Sequence, residues 1–211
     1  MKLYDSKLAP NPRRVRMFMA EKGVTCENQQ VDIIGGENLS DDFLAVSPRG
    51  LLPTLVLDDG TALDESVAIC RYLEETHPEP ALLGTDPVSK ARVEARQRHM
   101  EFDGMLAAME AFRNAFPGFR ERGLGGSVGK VDAIPALADR GKASLLRWYA
   151  KLDSELAESR YVAGDTFSIA DITALCTVDF AAGAARCPVP EECANVKRWH
   201  AEVSARPSAG A

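Results

Sequence analysis

The sequence predicts a two-part chain, a small α/β unit followed by an all-helical unit. Three observations carry this. Strand and helix patterns alternate through residues 1–78. Pro80, Gly84 and Pro87 then mark residues 79–87 as a linker. Residues 88–211 hold amphipathic helical patterns and no convincing strand.

The elements follow in order. Lys2-Leu3-Tyr4 reads as a short strand. Asn11-Pro12 reads as a helix start, with Asn as N-cap and Pro at the first helical position. Val15, Phe18 and Met19 keep helical spacing, and Gly23 ends the helix. Residues 25–32 form a weak second strand. Leu55-Val56-Leu57 and Thr61-Ala62-Leu63 flank Asp58-Asp59-Gly60, a hairpin signal because Gly supplies the positive φ of a turn. A helix opens near Glu65-Ser66 and stops at Pro78. Beyond the linker, a helix over 88–116 places Phe102, Leu106, Met109, Phe112 and Phe116 on one face. Seven Gly and Pro residues break 117–135 into a mobile loop or distorted helix end. The next helix has Leu145, Trp148, Leu152 and Leu156 as its stripe. Ser168-Ile-Ala-Asp171 is a capping box, stapled by Phe167 and Ile172. A last helix spans about 191–204.

Composition narrows the function. The chain has 211 residues and 45% hydrophobic content, enough for a sizeable core. Its net charge of −6 argues against nucleic acid as main partner. Arg13, Arg14 and Arg16 read as a solvated face or local ion pairs. No apolar run is long enough to span a membrane, and the first residues lack the apolar region of a signal peptide. Five cysteines make an odd count with no C-x-x-C and no zinc spacing, so a reduced cytoplasmic chain without a metal site is expected.

A β–α–β start, then Leu52-Pro53 leading into a hairpin, then Glu-Ser opening a helix, suggest a thioredoxin-like domain. A cis Pro53 turns the backbone of Leu52 outward, where its N–H and C=O can pair with an extended peptide. A trans Pro at a strand start is the plainer reading. Ser66, at a helix N-terminus, offers a hydroxyl and a backbone N–H to a carboxylate. Glu65 beside it can hold an amine, so the pair suits an α-amino-acid head group. A simple helix cap accounts for the same two residues.

Ser47-Pro-Arg-Gly-Leu-Leu-Pro53-Thr-Leu55, Asp59-Gly60, and Leu63-Asp-Glu-Ser-Val-Ala-Ile-Cys-Arg-Tyr-Leu73 together resemble the glutathione-binding signature of cytosolic glutathione transferases. Phe167-Ser-Ile-Ala-Asp171 resembles the family's N-capping motif, and Ser204-Ala-Arg-Pro207 is also family-like. The opening Leu3 to Val15 is most similar to a bacterial and fungal group of the theta-like branch. The resemblance implies a glutathione transferase fold, with a thioredoxin-like domain over 1–78 and an all-helical electrophile-binding and dimerisation domain over 88–211. It implies glutathione as co-substrate, held by Leu52, Pro53, Glu65, Ser66 and Asn38. It implies a homodimer in which Glu101 or Asp103 reaches the neighbour's γ-glutamyl amine. It places the electrophile against the second half, with Phe102, Met109 and Arg113 as pocket residues. Detoxification in the cytoplasm is the usual setting of the family.

Two departures stand out. Leu51 occupies a position where many relatives carry Lys or Gln near the glycyl carboxylate. Ala9 stands where theta- and zeta-like relatives place a catalytic Ser, and no Tyr or Cys replaces it. A free thiol has a pKa of about 8.5, so conjugation needs it lowered, and ~2 units corresponds to roughly 2.7 kcal/mol. Asn11 and Ser6 are the candidate catalytic residues, with a water held by Arg113 or Asn114 as a further donor. Conjugation of the thiolate to an apolar electrophile is the expected reaction. The alternatives are a catalytically poor ligand-binding or protein-interaction module, and a glutathione-dependent peroxidase.

Overall fold

A computed structural model describes all 211 residues. β1 (Lys2–Asp5), α1 (Pro10–Glu21) and β2 (Glu27–Gln30) form a β–α–β unit with parallel strands. A six-residue helix α2 (Asp41–Val46) and an antiparallel hairpin of β3 (Thr54–Val56) and β4 (Ala62–Leu63) follow. The sheet order is β2-β1-β3-β4. α3 (Ser66–Thr76) closes this thioredoxin-like half. β2 was faint in the sequence because Glu-Asn-Gln-Gln exposes all four side chains on an edge strand. The hairpin turns through Leu57–Thr61, with Gly60 at φ +87° and the Asp59 carboxylate accepting from the Thr61 N–H at 2.8 Å.

The start of α1 differs from expectation. Ala9 is its N-cap and Pro10 its first helical residue, and no side chain caps it. Asn11 is therefore the second helical residue, not the cap. The cause is Pro10: it forces Ala9 into extended backbone (φ −95°, ψ 135°) and is itself set for the helix. Gly23, at φ +65°, ends α1 as expected.

The second half holds α4 (Pro87–His99), α5 (Leu106–Arg113), α6 (Pro135–Ala157), α7 (Ile169–Gly183) and α8 (Ala194–Ser204). The helix expected over 88–116 is interrupted. Met100–Met105 forms a π-helical segment, and the helix ends at Arg113. Gly104 sits there against Trp148, where a Cβ would approach the indole to 2.6 Å. A π turn shifts helical phase, so the expected single stripe splits. Phe102 and Leu106 point outward, 64% and 54% exposed, while Met109, Phe112 and Phe116 face inward.

Residues 117–135 are expected to be a mobile loop or a distorted helix end; Pro135 opens α6, and the structure ties 117–133 down as a loop. Arg122 donates to the Ile33 and Ile34 carbonyls at 2.8 and 2.7 Å. Ser127 donates its N–H to the Arg49 carbonyl and its hydroxyl to that of Pro48. Phe119 is buried between the guanidinium groups of Arg113 and Arg122, 4.8 and 4.7 Å from its ring centre.

The capping box of α7 forms as read, with Asp171 fully buried. Its carboxylate accepts from the Ser168 and Val162 N–H groups and from the Trp199 indole at 2.9–3.0 Å. The stripe of α6 is buried throughout. One continuous cluster of 40 buried apolar residues runs from Leu3 to Val203 through both halves. Met17 of α1 touches Cys176 of α7 within it, at 3.8 Å between sulfurs. No helix is long and apolar enough to cross a membrane.

Candidate active site

The strand register gathers the site at one end of the sheet. β1 runs into Ser6 at its C-terminal end. Tyr4 pairs with Thr54, so Pro53 and Leu52 continue alongside Asp5 and Ser6. Leu55 pairs with Leu63, and the same register carried on sets Glu65 beside Pro53. α1 begins at this end too. Strand ends beside a helix start are where α/β sheets commonly take ligands.

The Leu52–Pro53 peptide is cis, and the Leu52 N–H and C=O bond to no other backbone group. Asn38 is buried beside this segment, donating Nδ2 to the Gly50 carbonyl at 2.8 Å and leaving Oδ1 without a partner. Glu65 has φ +62°, a strained value for a side chain-bearing residue. Its carboxylate pairs with Arg49 at 2.5 Å on the exposed surface. Ser66 is buried at the first turn of α3, its oxygen accepting from Arg14 Nη1 at 2.8 Å.

Next to this strip lies a cavity of about 550 Å³. Its thioredoxin-like side is Ser6 to Arg13 with Asn38 and Gly50 to Leu52. Its helical side is Met109, Phe112, Phe116, Phe119 and Phe180. Phe112 anchors these rings, stacked on Phe116 at 5.2 Å and edge-on to Phe119 and Phe180 at 5.5 and 5.2 Å. The N-terminus of α1 opens into the same space. Pro10 and Pro12 carry no N–H, so Asn11 holds the only backbone donor among the first three helical residues.

Five charged residues line the cavity: Lys7, Arg13, Asp32, Arg113 and Asp179. Asp179 accepts from Arg13 and approaches His200 Nε2, each at 2.6 Å. Burial works against its charge, but the His200 and Arg13 hydrogen bonds outweigh it and hold the carboxyl below its ordinary value. Arg113 donates to the Arg122 and Leu124 carbonyls. Burial, and then the Arg122 charge, lower its pKa.

The cavity brings together Ser6, Asn11, Asn38, Leu52, Met109 and Arg113. Pro53, Glu65 and Ser66 lie outside its walls, along the adjoining strip. Phe102 is not a pocket residue, because the π segment turns it to the surface. Arg113 holds the 117–133 loop through Nη1. Asn114 donates to the Glu110 carbonyl and accepts from the Ile134 N–H, and it is not part of the cavity lining. Glu101 pairs with Arg14 and Arg98, and Asp103 with Lys151.

The sequence reading missed Phe180, Asp179 and Arg14. The arginine cluster does form ion pairs, Arg13 with Asp179 and Arg16 with Asp5, but Arg14 is only 1% exposed. Its spacing was a signal: Met17 and Phe18 stand three and four residues on, which puts Arg14 on the buried face of α1. Phe180 and Asp179 left no such signal, since α7 is buried almost all round.

Residues 3–81 match the profile of the glutathione S-transferase N-terminal domain, and residues 105–207 that of the C-terminal domain. The chain is 35% identical to a glutathione S-transferase 2 of Saccharomyces cerevisiae, over 99% of this chain and 87% of that one. A glutathione S-transferase domain-containing protein of Marinobacter aquaeolei superposes with a TM-score of 0.89 at 34% identity, over 99% of both chains. Gtt2 from Saccharomyces cerevisiae gives 0.89 at 32% identity, over 100% of this chain and 99% of that one. With both halves matched and the same architecture in its bacterial and fungal relatives, the chain belongs to the glutathione S-transferase family.

Proposed function

We propose that this protein binds glutathione along the strip from Asn38 and Leu52 to Glu65 and Ser66, and joins its thiolate to an apolar electrophile held in the adjoining cavity. One observation carries this reading. The start of α1, with its single Asn11 N–H, opens between the unpaired backbone of Leu52 and a wall of phenylalanines. A cysteinyl thiol bound on Leu52 meets the positive helix end on one side and the electrophile on the other.

The thiol first gives its proton to solvent. The sulfur then attacks the electrophilic carbon, a C–S bond forms, and the leaving group departs with its electron pair. The helix end, the Asn11 donors and Ser6 at the end of β1 stabilise the negative sulfur beforehand. Desolvation by the phenylalanine wall favours an apolar, planar acceptor.

A homodimer belongs to the same proposal. It is supported by the family membership and by Phe102 and Leu106, two large apolar side chains left exposed four residues apart.

Ala9 favours one second reading, a glutathione-fold carrier with little turnover, because no hydroxyl stands at the helix start. The test is retention on immobilised glutathione and a rise in melting temperature with millimolar glutathione, followed by conjugation to an aromatic halide. Retention with turnover is expected. Retention without turnover supports the carrier, and a flat melting temperature removes both readings.

A further inference from the structure

Arg113 is a half-buried guanidinium in the cavity wall with no negative partner. Its neighbours in that wall differ. Arg13 pairs with Asp179 at 2.6 Å, and Lys7 is exposed to solvent. Burial works against the Arg113 charge, the Arg122 guanidinium does the same, and no carboxylate offsets them. Arg122 has no carboxylate either: its terminal nitrogens go to the carbonyls of Ile33, Ile34 and Gly118. Two cations therefore share the Phe119 ring without a counter-charge. A charge taken partly out of water is ordinarily paired, because removing an ion from water is costly. This corner of the cavity is left locally positive in a chain whose net charge is −6.

The hydrogen bonds of Arg113 show which side of it is free. Nη1 donates to the Arg122 and Leu124 carbonyls at 3.1 and 3.2 Å. Nε and Nη2 make no hydrogen bond, and neither is sealed from solvent. These two nitrogens form the side-on edge of a guanidinium, a pair of parallel donors that matches the two oxygens of a carboxylate. The chain leaves space at this edge. A Cβ on Gly125 would come within 3.2 Å of Nη2 and 3.4 Å of Leu51 Cδ2. Gly125 is not left-handed, so its backbone conformation does not call for glycine. The gap beside it is bounded by Arg113 and Leu51, both part of the cavity wall.

We propose that Arg113 determines acceptor specificity, and that the electrophile is a flat apolar molecule carrying one carboxylate. The carboxylate lies against Nε and Nη2, and the apolar body lies against the phenylalanines. The proposal rests on the conjugation reading above and narrows its acceptor to one with an anionic end. The bonding steps are unchanged: the C–S bond forms, the leaving group departs with its electron pair, and the carboxylate only binds. An anion here also relieves the repulsion between Arg113 and Arg122, which a neutral acceptor does not.

Initial rates with a matched pair of acceptors test it: 4-chloro-3,5-dinitrobenzoate and its methyl ester. In both, the glutathione sulfur displaces chloride, and each kcat/KM is divided by the rate constant of the uncatalysed reaction. The wild type should favour the acid by roughly tenfold or more, as a charge-assisted contact requires. Arg113→Met should bring this ratio close to one, mainly through the KM for the acid. Arg113→Lys keeps the charge without the paired donors and should restore part of the preference. Gly125→Ala is the second variant, because it crowds Nη2 and leaves the Nη1 bonds to the loop in place. Its ratio should fall by roughly threefold or more, with tryptic cleavage at Arg120 and Lys130 at the wild-type rate. An unchanged ratio in Arg113→Met or in Gly125→Ala overturns the proposal, whether or not both rates fall together. Should Arg113→Met fail to fold, Gly125→Ala decides by the same reading. Glutathione has carboxylates of its own, and a KM for glutathione raised about tenfold in Arg113→Met, at an unchanged ratio, assigns the guanidinium to the co-substrate and also overturns the proposal. A wild type that conjugates the ester as well as the acid leaves the conjugation reading standing and removes only the Arg113 role. A wild type that conjugates neither removes the conjugation reading, and the proposal with it.

Discussion

Asn11 carries the consequence of the two prolines beside it. With Pro10 and Pro12 lacking N–H groups, the positive end of α1 reaches the cavity through one backbone donor and one side-chain amide on the same residue. Because the amide is not used as a helix cap, it is available to a thiolate. For Asn11→Ala, the pKa of bound glutathione, read from thiolate absorbance against pH, should rise by about half a unit to one unit, the worth of one hydrogen bond. Affinity for glutathione should stay nearly unchanged. An unshifted pKa would move the role to Ser6. Asn11 itself was legible in the sequence as part of a helix start, but the start was misread by two positions in favour of Asn as cap. Local propensity ranked Asn above Ala there, and the fixed backbone of Pro10 decided otherwise.

The helix ends and the strap across the cleft behave as units. Asp171 joins α7, α8 and the Val162 segment through three buried donors. Asp171→Ala leaves those donors unpaired, and unfolding in urea should show a loss of about 3 kcal/mol or more. Burial pushes the Asp171 carboxyl up to about 6 from 3.8, its hydrogen bonds opposing that rise. The native state therefore keeps a proton that the unfolded chain has lost. This titration stabilises the fold fully below about pH 4 and loses that contribution as pH rises through about 6. Relative to Asp171→Asn, the wild type should become less stable across that window and run parallel above it. The 117–133 strap depends on Arg122, which reaches two carbonyls of the opposite half. Arg122→Ala should speed tryptic cleavage at Arg120 and Lys130 by roughly tenfold, as about 1–3 kcal/mol of local tethering is lost. The capping box, the hairpin and the breaks at Gly23 and Pro78 were readable because each is decided within a few neighbouring residues. The π turn and the strap were not, since Trp148 against Gly104 and Arg122 against Ile33 are contacts between residues 44 and 89 positions apart. For the same reason the stripe through Phe102 could not be seen to break.

At the scale of the molecule, the outward turn of Phe102 and Leu106 leaves two large apolar groups exposed, and the proposed dimer would cover them. Light scattering should give a mass near twice 22.9 kDa, and Phe102→Glu should shift it toward one chain while circular dichroism stays unchanged. A single-chain mass for the wild type at micromolar concentration would sink the dimer. The overall layout was legible, because alternation in the first 78 residues and its loss afterwards is a property of the whole pattern. The fusion of the halves was not, since no sequence periodicity says which two faces meet. Their shared core has a bearing on how such chains can change by recombination. A crossover in the linker severs no local element, yet it splits Met17 from Cys176 and Arg14 from Glu101. A hybrid of two relatives would therefore inherit two intact halves with mismatched faces, and the halves must be expected to diversify together, as lineages of pairs rather than as exchangeable cassettes.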